Sequence, residues 1–307
     1  MSNLKIAFFG NSKFSVFCLE EMKNLGQTPD IIITTPDRPM GRKMQLTKSE
    51  TKVWAEENNV PFIEQEKLKD ETFLEKLKAY DLFIVASYGK IVPKVILDMP
   101  RYGVLNIHPS LLPKYRGPSP LQEQILNDEK NIGVTVMKMD EQIDHGPIIA
   151  QSKIEIPNWP VNLIELKEIT AKTGVKLLVD NLGGWINKKI EAKEQNHDQA
   201  TFTKKVEKND GLLDLEMSKP FENYLKTKAY YPWPGTFFFI VKKNNLTTPP
   251  RHQNDTPPKI GGDEAIEKKL RVIIKESEYT DGKFIITKVL PEGKKEMNYE
   301  DFLRGLK

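Results

Sequence analysis

The feature that most constrains the fold is an alternation of short apolar runs and amphipathic segments through about the first 190 residues. Runs such as "LKIAFFG", "DIIITT", "DLFIVASYG" and "GVLNIHP" have the length and composition of buried strands. Between them, segments such as "FSVFCLEEMKNLG" and "SETKVWAEENNV" repeat apolar residues at helical spacing. Strands separated by helices of this length form βαβ units. The sequence therefore predicts an α/β region around a mostly parallel sheet.

The later part of the chain predicts a change of architecture. "IGVTVMKMD" and "PIIAQSKIEI" are strand patterns that nearly adjoin, which favours an antiparallel edge, and a long helix is expected from Val161 to Ile186. Residues 190–205 are polar without periodicity and are expected to be a linker. Beyond them, "GTFFFIVKK", "KLRVIIKES" and "GKFIITKVL" predict a small barrel or sandwich. A Pro- and Asn-rich insertion at about 244–268 is expected to lack a fixed fold.

Composition excludes several classes of protein. The 307 residues contain no apolar run long enough for a membrane span and no secretory signal pattern, so a cytoplasmic protein is expected. The single cysteine, Cys18, excludes a disulfide framework and is expected to be a core thiol. From residue 204 onward, 20 Lys and Arg stand against 16 Asp and Glu, which permits a nucleic-acid partner. Because no apolar surface stripe is left over, a monomer is expected.

Cofactor motifs are weak or missing. Gly10 closes the first strand, but "FFGNSKF" lacks the G-x-G-x-x-G pattern of dinucleotide sites, and there is no Walker motif. The four histidines are scattered, and no Cys/His spacing suits zinc. No metal is therefore expected.

Two polar side chains share one face of a predicted strand. Asn106 and His108 are two positions apart, so both point the same way with Cα atoms roughly 7 Å apart. The turn "MDEQIDHGP" contains Asp140, Glu141 and Asp144, and a carboxylate from it could reach the imidazole if the two strands are neighbours. Amide, imidazole and carboxylate together suit acyl transfer to an amine. From spacing alone, a pair that only satisfies the polar groups of a turn stays an open alternative.

A serine hydrolase is the obvious competitor, because Ser110 and Asp144 could join His108 in a triad. The sequence has no G-x-S-x-G turn that would hold a serine strained and exposed. Ser110 follows His108 by two residues, which favours a role in capping the turn or in binding a ligand.

Longer blocks resemble a known family. "NIHPSLLPKYRGPSPLQ" and "IGVTVMKMDEQIDHGPII" are similar to the two active-site blocks of the folate-dependent formyltransferases. Within that family, "TTPDRPMGRK", "YYPWPGTFF" and "VLPEGKKEMNYEDFLRG" resemble segments of the members that act on initiator methionyl-tRNA. The resemblance implies a Rossmann-like catalytic domain at 1–189, a linker at 190–205 and an OB-like tRNA-binding β-barrel at 206–307. It also implies N10-formyltetrahydrofolate as donor and the α-amine of initiator methionyl-tRNA as acceptor.

Individual roles follow from the resemblance. The catalytic trio falls on Asn106 and His108, which would hold the oxyanion, and on Asp144, which would orient His108 and help to move a proton. His145, next to it, is expected to be exposed and incidental. Residues from three segments would bind the folate: Ser87, Tyr88, Gly89, Ile91, Ser110, Leu111, Leu112, Pro113 and Asp140. Basic residues of the segment "TTPDRPMGRK", residues 34–43, which we call the first loop, and of the linker region would bind tRNA phosphates. These are Arg38, Arg42, Lys43, Lys204, Lys205 and Lys208.

Other functions stay open beside this one. Any single lysine of the set could be an ordinary solvated charge, and the first loop lacks the proline pair of the family. A sugar-nucleotide N-formyltransferase shares the trio and a similar P-W-P-G motif. A glycinamide ribonucleotide formyltransferase would leave the last hundred or so residues unexplained. A folate- or RNA-binding module without activity would keep the fold, but the intact trio speaks against it.

Overall fold

The computed structural model describes residues 4–40, 44–216, 219–242 and 268–306, and the chain divides into two compact units. Unit 1 is Met1–Val206 and unit 2 is Glu207–Lys307. The predicted insertion at 244–268 lies outside the described residues except for its last position. None of the described helices is long and apolar enough to cross a bilayer.

Unit 1 is built on a seven-stranded sheet and a separate two-stranded ribbon. In chain order, its strands are β1 (Ile6–Phe9), β2 (Ile31–Thr34), β3 (Arg38–Met40), β4 (Gln45–Thr47), β5 (Phe62–Glu64), β6 (Leu82–Val85), β7 (Val104–His108), β8 (Ile132–Lys138) and β9 (Ile148–Ile154). Its helices are α1 (Lys13–Asn24), α2 (Glu50–Glu57), α3 (Glu71–Leu77), α4 (Lys94–Leu97), α5 (Pro120–Leu126) and α6 (Leu163–Ile186).

The sheet is parallel over most of its width. Its order is β5-β2-β1-β6-β7-β8-β9, with the first five strands parallel. The strand β8 runs antiparallel to β7, and β9 runs antiparallel to β8. The ribbon pairs β3 with β4. A mostly parallel sheet with an antiparallel edge is therefore confirmed.

Helices cover the sheet on both faces, so its central strands are buried and mostly apolar; Thr34, Asn106 and His108 are their polar residues. All residues of β1, β2, β6 and β7 are buried. Cys18 on α1 is fully buried, and this burial raises the pKa of its thiol. The prediction of a core thiol is confirmed.

Helix α6 packs closely against the middle of β7. A Cβ on Gly174 would lie 2.5 Å from Cγ2 of Ile107 and 2.9 Å from Cγ2 of Val134. Because side chains alternate along a strand, Asn106 and His108 point away from α6. The two polar residues therefore lie on the opposite sheet face.

Unit 2 contains a four-stranded antiparallel sheet and two short helices. Its elements are α7 (Pro220–Ala229), β10 (Phe237–Lys242), β11 (Lys268–Thr280), β12 (Lys283–Pro291), β13 (Met297–Asn298) and α8 (Tyr299–Arg304). The sheet order is β10-β11-β12-β13, with the pairing of β11 and β12 shifted near Glu276. Three of these strands match the sequence prediction. The helices α7 and α8 were not predicted, because each is short and gains its stability by packing on the sheet.

Candidate active site

Three side chains from two distant segments meet above β7. Nδ2 of Asn106 donates to Oδ1 of Asp144 at 3.3 Å, and Nδ1 of His108 lies 3.5 Å from the same oxygen. Asn106 is 8% exposed and His108 is 4% exposed. Two nitrogens held by one rigid strand thus converge on a single oxygen. An oxygen of a substrate placed beside it could take hydrogen bonds from the same two groups.

The other ring nitrogen of His108 is already bonded. Nε2 lies 3.0 Å from the carbonyl oxygen of Tyr115. A carbonyl only accepts, so Nε2 carries a hydrogen and donates it. A second ring proton would then be on Nδ1, facing Asp144. The loop after β7 therefore fixes both the orientation of the imidazole and the nitrogen that faces the site.

Asp144 is held in place through its backbone as well as its carboxylate. The backbone N–H of Gly117 donates to Oδ2 at 2.7 Å. Asp144 has φ = 47°, in the left-handed region that few residues other than glycine, Asn and Asp adopt. Gly146 cannot carry a side chain, because a Cβ there would overlap the carbonyl of Lys138. This turn needs outside support to keep its shape.

The turn after β8 begins beside the first residues of β7, not beside its carboxyl end. The pairing places Lys138 opposite Leu105 and Thr135 opposite His108. Because β8 is antiparallel, its carboxyl end lies beside the start of β7, and the turn folds back to bring Asp144 to the side chains of Asn106 and His108. The sequence correctly indicated that the carboxylate could reach the imidazole, but the trio meets over the face of β7.

The predicted folate segment 110–113 is held firmly inside unit 1. The Ser110 hydroxyl donates to the Lys114 carbonyl at 2.7 Å, and Thr135 donates to the Ser110 carbonyl at 2.6 Å. Ser110 and Leu112 are buried, and Leu111 and Pro113 are half-buried. The serine therefore shapes the turn, which removes its hydroxyl from any triad.

The other predicted folate segment, residues 86–93, is open to solvent at alternate positions. Ser87 and Gly89 are exposed with φ of 52° and 77°, and Ile91 is 79% exposed. Tyr88 is different: its ring packs edge-on against Phe9, and its buried hydroxyl has no partner among the described residues. This segment thus has exposed main chain at Ser87 and Gly89 and one bare apolar side chain at Ile91, while the carbonyl of Tyr88 accepts a hydrogen bond from Asn11.

The prediction for His145 was wrong. Its Nδ1 lies 2.6 Å from Oδ2 of Asp140, and its ring stacks on that of His197 with centroids 4.0 Å apart. His145 is half-buried because this stack covers one face. Asp140, predicted to bind folate, also accepts from the backbone N–H of Gln142 at 3.0 Å. Oδ1 of Asp140 therefore accepts a hydrogen bond within its own turn, and Oδ2 contacts His145.

Two residues without a predicted role complete the site. Arg116 and Gln195 are 3% and 5% exposed, and Oε1 of Gln195 lies 2.6 Å from Nη2 of Arg116. Nη2 of Arg116 is also 2.9 Å from Nδ1 of His197. An arginine only donates, so this nitrogen of His197 accepts. Burial lowers the pKa of Arg116, and the charges of Asp144 and Asp140 oppose that shift.

The described members of the predicted tRNA-binding set are all exposed. Arg38 is exposed on β3 and pairs with Glu66 at 3.2 Å. Lys204 and Lys205 in unit 1 and Lys208 in unit 2 are exposed. Arg42 and Lys43 lie outside the described residues. Among the described residues, no group of three or more His, Cys, Asp or Glu is arranged to hold a metal ion.

Comparison with known proteins places this chain in a family. The family described as Formyl transferase matches residues 4–182, which include the whole trio. A methionyl-tRNA formyltransferase of Chloroflexus aurantiacus is 38% identical over 238 residues, covering 77% of this chain and 76% of that protein. One from Desulfotalea psychrophila is 36% identical over 319 residues, covering 99% and 94%.

A solved structure shares the fold over nearly the whole chain. HypX from Aquifex aeolicus in complex with tetrahydrofolic acid covers 99% of this chain with a TM-score of 0.61 at 16% identity, and the match spans 48% of that protein. At this identity the likeness shows the fold alone. Together with the family match, the fold and site define a formyl-group transferase. With the two relatives, the chain belongs to the formyl transferase family, in the group of the methionyl-tRNA formyltransferases.

Proposed function

We propose that this protein transfers the formyl group of N10-formyltetrahydrofolate to the α-amine of initiator methionyl-tRNA. The observation that carries the proposal is the convergence of Asn106 Nδ2 and His108 Nδ1 on one point, 3.3 and 3.5 Å from the same oxygen. The names of the two relatives support the acceptor. The folate bound to the HypX neighbour supports the donor class.

In the proposed reaction, Asn106 and His108 stabilise the negative oxygen that forms when the amine adds to the formyl carbon. Nε2 of His108 carries the hydrogen that it donates to Tyr115, so Nδ1 acts as a donor in the doubly protonated ring. Both side chains are buried and fixed before substrate arrives, so their hydrogen bonds act in a region of low dielectric constant and need little rearrangement. Each contributes on the order of 100–1000-fold in rate, as donors of this kind do elsewhere. No covalent intermediate with the protein is required.

Asp144 acts on protons. The amine must be neutral to attack, and an α-amino group with an ordinary pKa of about 7.7–8.0 is partly neutral near pH 7. After attack it must lose a proton. The carboxylate of Asp144 faces His108 at 3.5 Å and can accept that proton, directly or through a water molecule, while it orients the imidazole. The bond between the formyl carbon and N10 then breaks, and tetrahydrofolate leaves with this proton on N10.

The donor would be held by the two segments that flank the trio. The exposed main chain of Ser87 and Gly89 and the bare side chain of Ile91 suit a flat heterocycle. The buried segment from Ser110 to Pro113 would form the opposite wall. The donor supplies the formyl group; the residues of this chain bind it and exclude water.

We assign catalysis to unit 1 and tRNA binding to unit 2 together with the basic residues named above. Five of these six candidate phosphate contacts belong to unit 1, and Lys208 belongs to unit 2. An OB-like barrel stays a prediction for unit 2; its four-stranded antiparallel sheet, with a pairing shift near Glu276, supports it because such shifts bend a sheet. A monomeric state also stays a prediction.

One assay tests the function. The purified protein is incubated with N10-formyltetrahydrofolate and initiator methionyl-tRNA, and formylmethionine is measured after the ester is hydrolysed. We expect transfer to the charged tRNA and none to amino sugar nucleotides run in parallel. Transfer to an amino sugar alone would replace this function with the sugar-nucleotide alternative. Transfer to neither, under conditions in which a known formyltransferase is active, would contradict both.

A further inference from the structure

Gln195 is a buried amide with every hydrogen-bonding position in use. Its Nε2 donates to the carbonyl of Asp144 at 2.9 Å and to the carbonyl of Gly146 at 2.7 Å. Its Oε1 accepts from Arg116 twice, from Nη2 at 2.6 Å and from Nε at 3.2 Å. An amide offers two N–H hydrogens and two lone pairs, so the side chain is fully satisfied. Such a residue can adopt only one orientation here.

The hydrogen bonds of Gln195 link the two segments that hold the Asp144 carboxylate, which are the turn at 144–146 and the loop that contains Arg116 and Gly117. On one side the amide holds the main chain of Asp144, whose left-handed φ of 47° is unfavourable without external bonds. On the other it holds the side chain of Arg116. The next residue, Gly117, is the one whose N–H binds Oδ2 of Asp144. The side chain of Gln195 thus holds both the turn that carries the Asp144 carboxylate and the loop whose Gly117 N–H binds that carboxylate.

Backbone pairing anchors the segment that carries Gln195. We call residues 193–203 the crossing segment. At its start, Lys193 and Ile148 exchange two backbone hydrogen bonds of 2.7 and 2.8 Å. Near its end, Arg116 donates to Thr201 at 2.8 Å, and Thr203 donates to Arg116 at 2.7 Å. The stretch predicted as a linker is therefore bonded to unit 1 at both ends, with Gln195 between the two anchors.

We propose that Gln195 is a positioning residue, which acts through Asp144 to keep the carboxylate within reach of Asn106 and His108. The inference rests on the proposed function for its kinetic consequence, but its structural part does not depend on the identity of the substrate. Without the amide, two buried carbonyls lose their donor, and the turn 144–146 relaxes from its left-handed conformation. The carboxylate then leaves the position that Gly117 and Asn106 define for it.

Two substitutions separate the donor role of Gln195 from its acceptor role. Gln195→Met removes all four hydrogen bonds and keeps a side chain of similar size. Gln195→Glu keeps acceptors for Arg116 but has no hydrogen for the carbonyls of Asp144 and Gly146. Gln199→Met is the matched control, since Gln199 is exposed in the same segment. We expect both Gln195 variants to lower kcat by about 10- to 100-fold, with KM for either substrate changed less than about threefold, and the control to match wild type.

Amide hydrogen exchange at Gly117 gives a reading that needs no substrate. This N–H is protected by the carboxylate of Asp144. We expect both Gln195 variants to lose that protection to the same extent as Asp144→Ala, and Gln199→Met to keep it. Protection at Leu105 and Ile107 on β7 should stay at the wild-type level in every variant, which shows that the sheet remains folded. If Gln195→Met does not fold, Gln195→Glu carries the test.

The outcomes distinguish the two proposals. Unchanged protection at Gly117 in the folded Gln195 variants would overturn the positioning role, whatever happens to kcat. Lost protection with an undiminished kcat would overturn it as well, because the carboxylate would then not need its position. If wild type formylates no charged tRNA while Gly117 protection still depends on Gln195, the proposed function fails and the positioning of Asp144 stands.

Discussion

Gly117 donates its backbone N–H to Oδ2 of Asp144 over 2.7 Å and so joins the loop after β7 to the turn after β8. This bond leaves Oδ1 to face Asn106 and His108. A short hydrogen bond from a backbone N–H fixes the direction of a carboxylate. The arrangement of the proposed catalytic trio thus depends on a main-chain hydrogen bond that forms without any substrate.

Replacing Asn106 tests the proposed oxyanion site. We expect Asn106→Ala to lower kcat by about 100- to 1000-fold, because the lost donor acts mainly on charge that develops in the transition state. Asn24→Ala, at the exposed end of α1, is the control and should keep wild-type kcat. Steady-state formylation of charged tRNA measures both. An Asn106→Ala enzyme with near-wild-type turnover would contradict the assignment, and the same holds for His108→Ala and Asp144→Ala.

A paired substitution tests the predicted phosphate contacts. We expect Lys204→Gln with Lys205→Gln to weaken binding of initiator methionyl-tRNA and to reduce the slope of log affinity against log salt by about 1.5, since two counterion-releasing contacts are lost. Lys188→Gln with Lys189→Gln removes a neighbouring exposed pair of the same unit and serves as control. Binding is measured by fluorescence anisotropy at salt concentrations from about 50 to about 300 mM. Equal slopes for the two double variants would refute the contacts.

Lys52 is a largely buried cation that ties the start of the first loop to the sheet. Its Nζ lies 2.9 Å from Asp37 and 3.0 Å from Glu64. We expect Lys52→Met to destabilise the protein by about 1–2 kcal/mol, because two partly exposed carboxylates lose their partner. Lys48→Met breaks an exposed pair with Glu56 and should cost less than about 0.5 kcal/mol. Thermal unfolding by circular dichroism compares the two.

The contribution of Lys52 should depend on pH in one direction. The hydrogen bonds that Lys52 donates to Asp37 and, with the next largest effect, to Glu64 raise its pKa above the ordinary 10.5. A cation with a raised pKa stabilises the fold fully at neutral pH, and this stabilisation is lost as pH rises through the folded-state pKa. The difference in Tm between wild type and Lys52→Met should therefore be constant from about pH 6 to 9 and shrink above about pH 10.5. A difference that grew with pH would contradict the pairing.

Gly174 tests the packing behind the catalytic strand. An added methyl group would press on Ile107, which lies between Asn106 and His108. We expect Gly174→Ala to cost about 1–3 kcal/mol in unfolding free energy and to lower kcat. Gly184→Ala on the same helix meets only the flexible end of Ile190 and gains helix propensity, so it should lie within about 1 kcal/mol of wild type. Equal stability of the two variants would show that β7 tolerates displacement.

The sequence predicted the sheet and the proximity of Asn106, His108 and Asp144 far better than the contacts that hold these residues. Apolar runs reveal strands because burial on both faces selects apolar residues, and strand periodicity placed Asn106 and His108 on one face. The choice of Asp144 required the family resemblance, because the local sequence pattern does not indicate where the turn after β8 folds back.

Gln195 could not be predicted from its surroundings. The residues around it are polar and aperiodic, and its value lies in bonds to Asp144, Gly146 and Arg116, which only the tertiary fold brings near. The stacking of His145 on His197 was missed for the same reason. Local patterns report how a residue meets solvent or core, but not which distant polar group it meets.

The bonds around Asp144 span 27, 38 and 51 residues of chain to Gly117, Asn106 and Gln195. All strands of the large sheet are complete by Ile154, well before Gln195. During synthesis, we expect the sheet to assemble first and the carboxylate to be locked only when the crossing segment has emerged from the ribosome. A growing chain that already carries Asn106, His108 and Asp144 would therefore be folded but not yet an enzyme.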